Sequence, residues 1–214
     1  TGKTRISLHI GLQLQRKNKK VLFVELESIK TEEAFIHQLS LAIDCALEPE
    51  AQLSERARHV GSNLALRQNF LLILDNFEQV DGNCALLVGE WLKMCPKLQL
   101  LVTSREPLKI QYETRIIIPP LQTAEAVELF VERGQAARLG FQMDETNREL
   151  IQETVKRLDY LPLAIELAAA RLKILSIESL HSRLTNRLDM LVDRRRDHQG
   201  RQKTLRTTLD WSWN

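Results

Sequence analysis

The sequence predicts an α/β fold in which a parallel sheet is followed by a small helical domain. Three segments of high β-propensity lie at 19–28, 69–76 and 98–106, and helical patterns separate them. The run "NFLLILDN" has five consecutive apolar residues without alternation, which is typical of a parallel strand covered on both faces. Strands that alternate with helices indicate a parallel sheet with right-handed crossovers. After residue 121 only helical patterns remain.

Each element of the α/β part follows from the spacing of apolar and turn residues. In the segment 5–17, Ile6, Ile10 and Leu14 are spaced for one face of a helix. Thr31 is a predicted N-cap, because its hydroxyl can accept a hydrogen bond from the first turn. The remaining predicted elements are helices at 31–43, 52–67 and 84–95, and a short strand at 114–121 that Pro119 and Pro120 terminate.

The change of pattern at residue 121 predicts the domain boundaries. An α/β domain is expected at 1–121 and a helical domain at 122–188, with helices at 123–140, 146–159, 161–172 and 176–188. Residues 189–203 are highly charged, as in a linker, and the apolar and aromatic residues of 204–214 indicate the start of a further domain.

Composition argues against several classes of protein. The net charge of +2 is too small to indicate nucleic-acid binding, and no apolar run approaches the roughly 18–20 residues that span a bilayer. The three cysteines form no CxxC pair and the five histidines show no metal-ligand spacing. Reduced thiols of this kind predict a cytoplasmic protein. The basic stretch 187–206 has the composition of a solvated linker, and we expect no direct DNA contact from this chain.

Three groups of polar residues are predicted at the carboxyl ends of the parallel strands. This is the edge of such a sheet at which ligands bind. The groups are Gly2-Lys3-Thr4, Asp75-Asn76 and Thr103-Ser104-Arg105.

Each group has a role if the ligand is a nucleoside triphosphate. Gly2 lets backbone amides and the following helix N-terminus face phosphates, and Lys3 is a mobile charge for the β- and γ-oxygens. The Thr4 hydroxyl can ligate Mg²⁺, and Asp75 can hold the hydrated ion. Arg105 can reach the γ-phosphate. The order of these groups along the chain therefore predicts a nucleotide site.

These motifs resemble the NB-ARC and STAND class of P-loop ATPases, and most closely its bacterial branch of transcriptional regulators. "LLILDNFEQV" (71–80) is similar to the Walker B segment and "LLVTSREPL" (100–108) to sensor 1. "RLDYLPLAIELAAARL" (157–172) resembles the Gly-Leu-Pro-Leu motif, and "RQKTLRTTLDWSWN" (201–214) resembles the beginning of a winged-helix domain. The resemblance covers almost the whole chain.

The resemblance implies a role for each matching residue. Lys3 and Thr4 would be the Walker A lysine and magnesium ligand, and Asp75 the Walker B aspartate. Either Asn76 or Glu78 would orient the attacking water, and the sequence leaves that choice open. Arg105 would be the sensor arginine, and Pro162 would lie against the adenine from the helical domain.

Three departures from the family pattern carry expectations. Tyr160 replaces the family glycine before Leu-Pro-Leu, which we expect to affect the turn or the fit around the base. Gln79 replaces a usual histidine, with little expected consequence. "TGKT" resembles the end of the phosphate loop GxxxxGKT, so we expect the loop's first half and the strand before it to be absent. A chain that begins there is predicted to bind nucleotide poorly.

The resemblance implies a switch that binds ADP or ATP with Mg²⁺, hydrolyses ATP slowly and self-associates on activation. The sensor and output domains are expected outside this chain. Two alternatives stay open: an ATPase of the AAA+ type that works mechanically or loads other proteins onto DNA, and an interaction scaffold without nucleotide.

Overall fold

The computed structural model describes residues 2–67 and 70–192, and the side chains of the last helix as far as residue 184. The described residues divide into two compact units, one formed by residues 3–117 and the other by residues 118–192 together with Gly2. Each unit has its own cluster of buried apolar side chains.

The first unit is a three-stranded parallel sheet with helices, as the alternating pattern predicts. Its strands are ordered β1-β2-β3. Its elements are α1 (Lys3–Arg16), β1 (Lys20–Glu25), α2 (Glu32–Ala42), α3 (Leu53–Leu66), β2 (Phe70–Asp75), α4 (Asn83–Met94) and β3 (Gln99–Val102). The register pairs Glu25 with Asp75 and Leu74 with Val102, so the carboxyl ends of the three strands lie side by side.

The core of this unit is built around the central strand and three aromatic rings. All six residues of β2 are buried, as expected for a strand covered on both faces. Phe35 of α2 stacks on Trp91 of α4 with centroids 5.8 Å apart, and meets Phe77 edge-on at 5.8 Å. The Trp91 Nε1 donates to the Ala57 carbonyl at 2.9 Å. The predicted N-cap is confirmed, since Thr31 Oγ1 accepts from the Ala34 N–H.

Helix α1 packs on its predicted face only in part, since Ile10 and Leu14 are half-buried there but the fully buried residues are small. The buried residues are Ser7 and Gly11, whereas Ile6 is exposed. A Cβ on Gly11 would lie 3.1 Å from Ile73 Cδ1, so α1 approaches the sheet closely only because small residues face it. The spacing of apolar residues therefore indicated a half-buried face, but not Ser7 and Gly11, which are the fully buried residues of the helix.

The predicted strand at 114–121 is wrong, since the described residues contain no strand there. Ile116 and Ile117 are more than four-fifths exposed, and Pro119 and Pro120 have no N–H to donate to a ladder. The preceding loop turns around Glu113, whose carboxylate accepts from the Leu108 and Lys109 N–H groups. Burial acts to raise the pKa of Glu113, but these bonds and Arg115 outweigh it and lower the pKa.

The second unit is helical, with a core formed by side chains from all four of its described helices. They are α5 (Thr123–Ala137), α6 (Arg148–Arg157), α7 (Pro162–Ala170) and α8 (Ile177–Val192). Helix α8 extends past the predicted end at residue 188. The rest of the predicted linker and the segment 204–214 lie outside the described residues. None of the helices described is long and apolar enough to cross a bilayer.

The turn before α7 has an unusual backbone. Asp159 and Tyr160 both have positive φ, at 53° and 54°, a region that costs most residues about 1–2 kcal/mol and glycine little. The Tyr160 carbonyl accepts from the Leu121 N–H at 3.2 Å. Tyr160 therefore adopts a backbone geometry that is better suited to glycine.

Candidate functional site

The Asp75 carboxylate lies at the centre of the predicted site and is held on both oxygens. Asp75 ends β2 and is 1% exposed. Thr4 Oγ1 donates to Oδ2 at 2.8 Å, and Thr103 Oγ1 donates to Oδ1 at 2.5 Å. A buried carboxylate is tolerated because it accepts hydrogen bonds. These contacts bring together the first turn of α1 and the ends of β2 and β3.

The position of Thr4 depends on the close packing of α1 against the sheet. Ser7, one turn later, is buried and its hydroxyl donates to the Thr4 carbonyl at 2.9 Å. Gly11 provides the space for this packing, as described above. The small residues of α1 thereby place the Thr4 hydroxyl within hydrogen-bond distance of Asp75.

Asn76 redirects the chain immediately after Asp75. Its φ of 60° and ψ of 42° are left-handed, a conformation that asparagine tolerates better than most residues. A single turn of 3₁₀ helix follows over Phe77–Gln79. The Asn76 N–H donates to Thr103 Oγ1 at 3.0 Å, and the Phe77 N–H donates to the Thr103 carbonyl at 2.9 Å. The turn is therefore fastened to the end of β3.

Arg105 and Glu78 form an ion pair beside this turn. Arg105 Nε lies 3.0 Å from Glu78 Oε1, and the Glu78 side chain is only 12% exposed whereas that of Arg105 is 68% exposed. Glu78 Oε2 is buried without a hydrogen-bond partner. Of the two candidates for orienting water, Glu78 is thus engaged by the predicted sensor arginine, and Asn76 is fixed through its backbone.

The other predicted residues lie at helix starts. Lys3 is the first residue of α1, and Gly2 before it has a φ of 88°, which favours glycine. Pro162 is the first residue of α7, where proline is common in any helix. It belongs to the second unit, and its contact with a base stays a prediction.

The donor set around Asp75 fits a magnesium ion. Mg²⁺ prefers hard oxygen ligands, keeps most of its waters and takes one or two carboxylates from the protein. The Thr4 hydroxyl is such a ligand, and the Asp75 carboxylate in contact with it can accept hydrogen bonds from the ion's waters. Across the residues that the structure describes, no group of three or more His, Cys, Asp or Glu side chains offers an alternative metal site.

Thr103 contacts the Asp75 carboxylate, although the sequence pattern assigns it no role. The sequence places it among the polar residues at the end of its strand and predicts a role there only for Arg105. The signal lies in the register, since Leu74 pairs with Val102 and the next residues, Asp75 and Thr103, must then be neighbours.

Comparison with known proteins shows relatives but no defined family, since no family model matches the chain. The chain is 34% identical over 212 residues to proteins of Mycobacterium bovis and Mycobacterium tuberculosis named "Putative HTH-type transcriptional regulator". The alignment covers 99% of this chain and 24% of those proteins. An "Uncharacterized protein" of Mycobacterium tuberculosis is 29% identical over 213 residues, which is 53% of its length. The chain thus spans about a quarter of the regulators it matches.

Proposed function

We propose that this chain is the nucleotide-binding switch module of a bacterial transcriptional regulator, with Mg²⁺ and ADP or ATP as its ligands. The observation that carries the proposal is the hydrogen bond between Thr4 and Asp75. It joins a lysine- and threonine-bearing helix start to a buried carboxylate at the end of a parallel strand. P-loop nucleotide sites combine these same groups.

The phosphates of the nucleotide would lie at the start of α1. A helix N-terminus attracts anions through its unpaired N–H groups and its dipole. Gly2 has the backbone conformation that such a turn requires, and Lys3 supplies a positive charge. In this proposal Lys3 contacts the β- and γ-oxygens of the nucleotide.

Thr4 and Asp75 would hold Mg²⁺ beside the phosphates. The ion would neutralise phosphate charge when bound. Thr4 would supply a direct ligand, and Asp75 would accept hydrogen bonds from the ion's waters.

Hydrolysis would be slow while Arg105 stays paired with Glu78. Glu78 Oε1 is paired with Arg105 and Oε2 is buried, so neither oxygen is presented to a water molecule from solvent. A γ-phosphate that attracts Arg105 would release Glu78. The module then acts as a switch, because ADP and ATP bind its two states with different affinities, and a ligand shifts an equilibrium only by such a difference. The ATP state self-associates.

The regulatory role is proposed from the relatives. Proteins named as HTH-type transcriptional regulators align with nearly the whole of this chain. A module of such a regulator would act in the cytoplasm, and its DNA contacts would be made by residues other than those described.

The proposal is tested on the full-length gene product by identifying the nucleotide that co-purifies with it. We expect stoichiometric ADP in the unaltered protein and none in Lys3→Ala. The matched control is Lys93→Ala, which removes the same charge from an exposed position in the last turn of α4 and should retain ADP. Affinity for Mg²⁺–ATP is then measured by calorimetry.

Two outcomes would contradict the proposal. An unaltered protein that contains no nucleotide and has no measurable affinity for Mg²⁺–ATP would favour the scaffold alternative. A high steady ATPase rate in a constitutive ring would favour a mechanical ATPase.

A further inference from the structure

Thr103 makes four hydrogen bonds that fasten β3 to the end of β2. It is 5% exposed. Its N–H donates to the Leu74 carbonyl and its own carbonyl accepts from the Phe77 N–H, both at 2.9 Å. Its hydroxyl donates to Asp75 Oδ1 at 2.5 Å and accepts from the Asn76 N–H at 3.0 Å. The hydroxyl thus connects the carboxylate with the backbone that follows it.

The direction of these bonds is determined by chemistry. A backbone N–H can only donate, so Asn76 uses a lone pair of the Thr103 oxygen. The single hydroxyl proton is then available to Asp75, whose ionised carboxylate can only accept. Serine shares this capacity with threonine, whereas valine has the shape without the donor.

The two hydroxyl contacts of Asp75 come from different parts of the fold. Thr4 belongs to the helix start that would contact phosphate and metal. Thr103 follows β3 and is held by backbone bonds to β2. Its contact with Asp75 Oδ1 is therefore set by the sheet register.

We propose that Thr103 is a positioning residue for magnesium binding, which orients the Asp75 carboxylate so that Oδ2 faces Thr4 and the ion. This inference rests on the proposed nucleotide function and adds a residue to it. Groups that hydrogen-bond around a bound metal commonly change its affinity by about 10–100-fold when they are removed, and the lower end applies to Thr103 because it acts through Asp75. Thr103 acts on Mg²⁺ through Asp75 and has no role in contacting phosphate itself.

The test measures ADP affinity of the full-length gene product with Mg²⁺ and with excess EDTA. In Thr103→Val we expect the gain in affinity that Mg²⁺ provides to fall by about 10-fold or more, while affinity in EDTA changes little. Thr103→Ser should restore the gain. Ser104→Ala is the matched control, because it removes the neighbouring hydroxyl, which accepts from the Glu106 N–H. In this variant Mg²⁺ should increase the ADP affinity as much as it does in the unaltered protein.

A double-mutant cycle with Asp75→Asn separates positioning from general stability. If Thr103 acts through Asp75, Thr103→Val adds no further loss of the Mg²⁺ gain to Asp75→Asn. Equal losses with Mg²⁺ and with EDTA would overturn the inference and indicate a structural role only. If Thr103→Val does not fold, Thr103→Cys, whose thiol is a weak donor, replaces it with the same criteria.

The failure of this inference differs from failure of the proposed function. An unaltered protein that binds neither ADP nor Mg²⁺–ADP would refute the nucleotide site as a whole. Normal magnesium-dependent binding by Thr103→Val would leave the nucleotide site in place and remove Thr103 from it.

Discussion

Gly61→Ala should destabilise the α/β unit although alanine is the better helix former. Gly61 lies in α3, and a Cβ there would be 2.6 Å from Trp91 Cδ1 and 3.0 Å from Trp91 Nε1. Carbon atoms pack at about 3.5–4.0 Å, so the indole ring must move by about 1 Å. The ring has little freedom to do so, because it stacks on Phe35 and its Nε1 donates to Ala57.

The net effect follows from three opposing contributions. Overpacking costs about 1–3 kcal/mol, and a weakened indole hydrogen bond costs about 0.5–1.5 kcal/mol more. Replacing glycine in a helix returns about 1 kcal/mol. We therefore expect the free energy of unfolding to fall by about 2 kcal/mol.

The assay is urea denaturation followed by Trp91 fluorescence, with Trp211 and Trp213 replaced by phenylalanine in every variant. Gly11→Ala is the matched control, because its Cβ would meet the flexible end of Ile73 at 3.1 Å. At Gly11 the higher helix propensity of alanine offsets a smaller steric strain. The free energy of unfolding should therefore change by less than about 1 kcal/mol. A Gly61→Ala variant as stable as the unaltered protein would refute the packing argument.

Three further predictions concern a turn, an ion pair and a thiol. Tyr160→Gly should be about 1 kcal/mol more stable than Tyr160→Ala in thermal unfolding, because both lose the ring but only glycine relieves the positive φ; equal stability would contradict this. Arg105→Ala should destabilise the α/β unit more than Glu78→Gln does in urea denaturation, because Arg105→Ala leaves the largely buried Glu78 carboxylate unpaired. A larger loss of stability in Glu78→Gln would refute this reasoning. Burial, with Glu32 and Asp81 nearby, raises the pKa of the Cys84 thiol from 9.0 to about 12. The contribution of the buried thiol to stability is therefore complete below pH 9 and is lost as the pH rises towards 12, by up to about 1.4 kcal/mol per pH unit. Cys84→Ala should reduce this dependence of the free energy of unfolding on pH, measured by denaturation at several pH values.

Most elements of the fold were predictable because their signals are local. The apolar run of β2 and the N-cap at Thr31 each depend on a few adjacent residues, and both are present in the structure. The strand at 114–121 was not predictable in this way. Its isoleucines have high β-propensity, but a strand also needs a neighbour, and the proline pair that follows cannot donate to a ladder.

The candidate site was predictable in its parts but not in its contacts. Thr4 and Asp75 were identified from residue type and order, and the structure brings them together. The contact between Thr103 and Asp75 depends on strand register, which the sequence does not state directly. The exposure of Ile6 has a similar origin, because α1 turns its small residues towards the sheet, and spacing shows a helical face without showing what that face packs against.

The edge position of β3 has a consequence for amide exchange with solvent. The Thr103 N–H donates to Leu74 of β2, so by alternation the N–H groups of Leu100 and Val102 point to the other edge. Among the described residues, β3 has a single neighbouring strand. Deuterium should therefore enter at Leu100 and Val102 far sooner than along β2, whose amides exchange only when the unit opens. Slow labelling at those two amides would reveal that another chain segment is paired with this edge in solution.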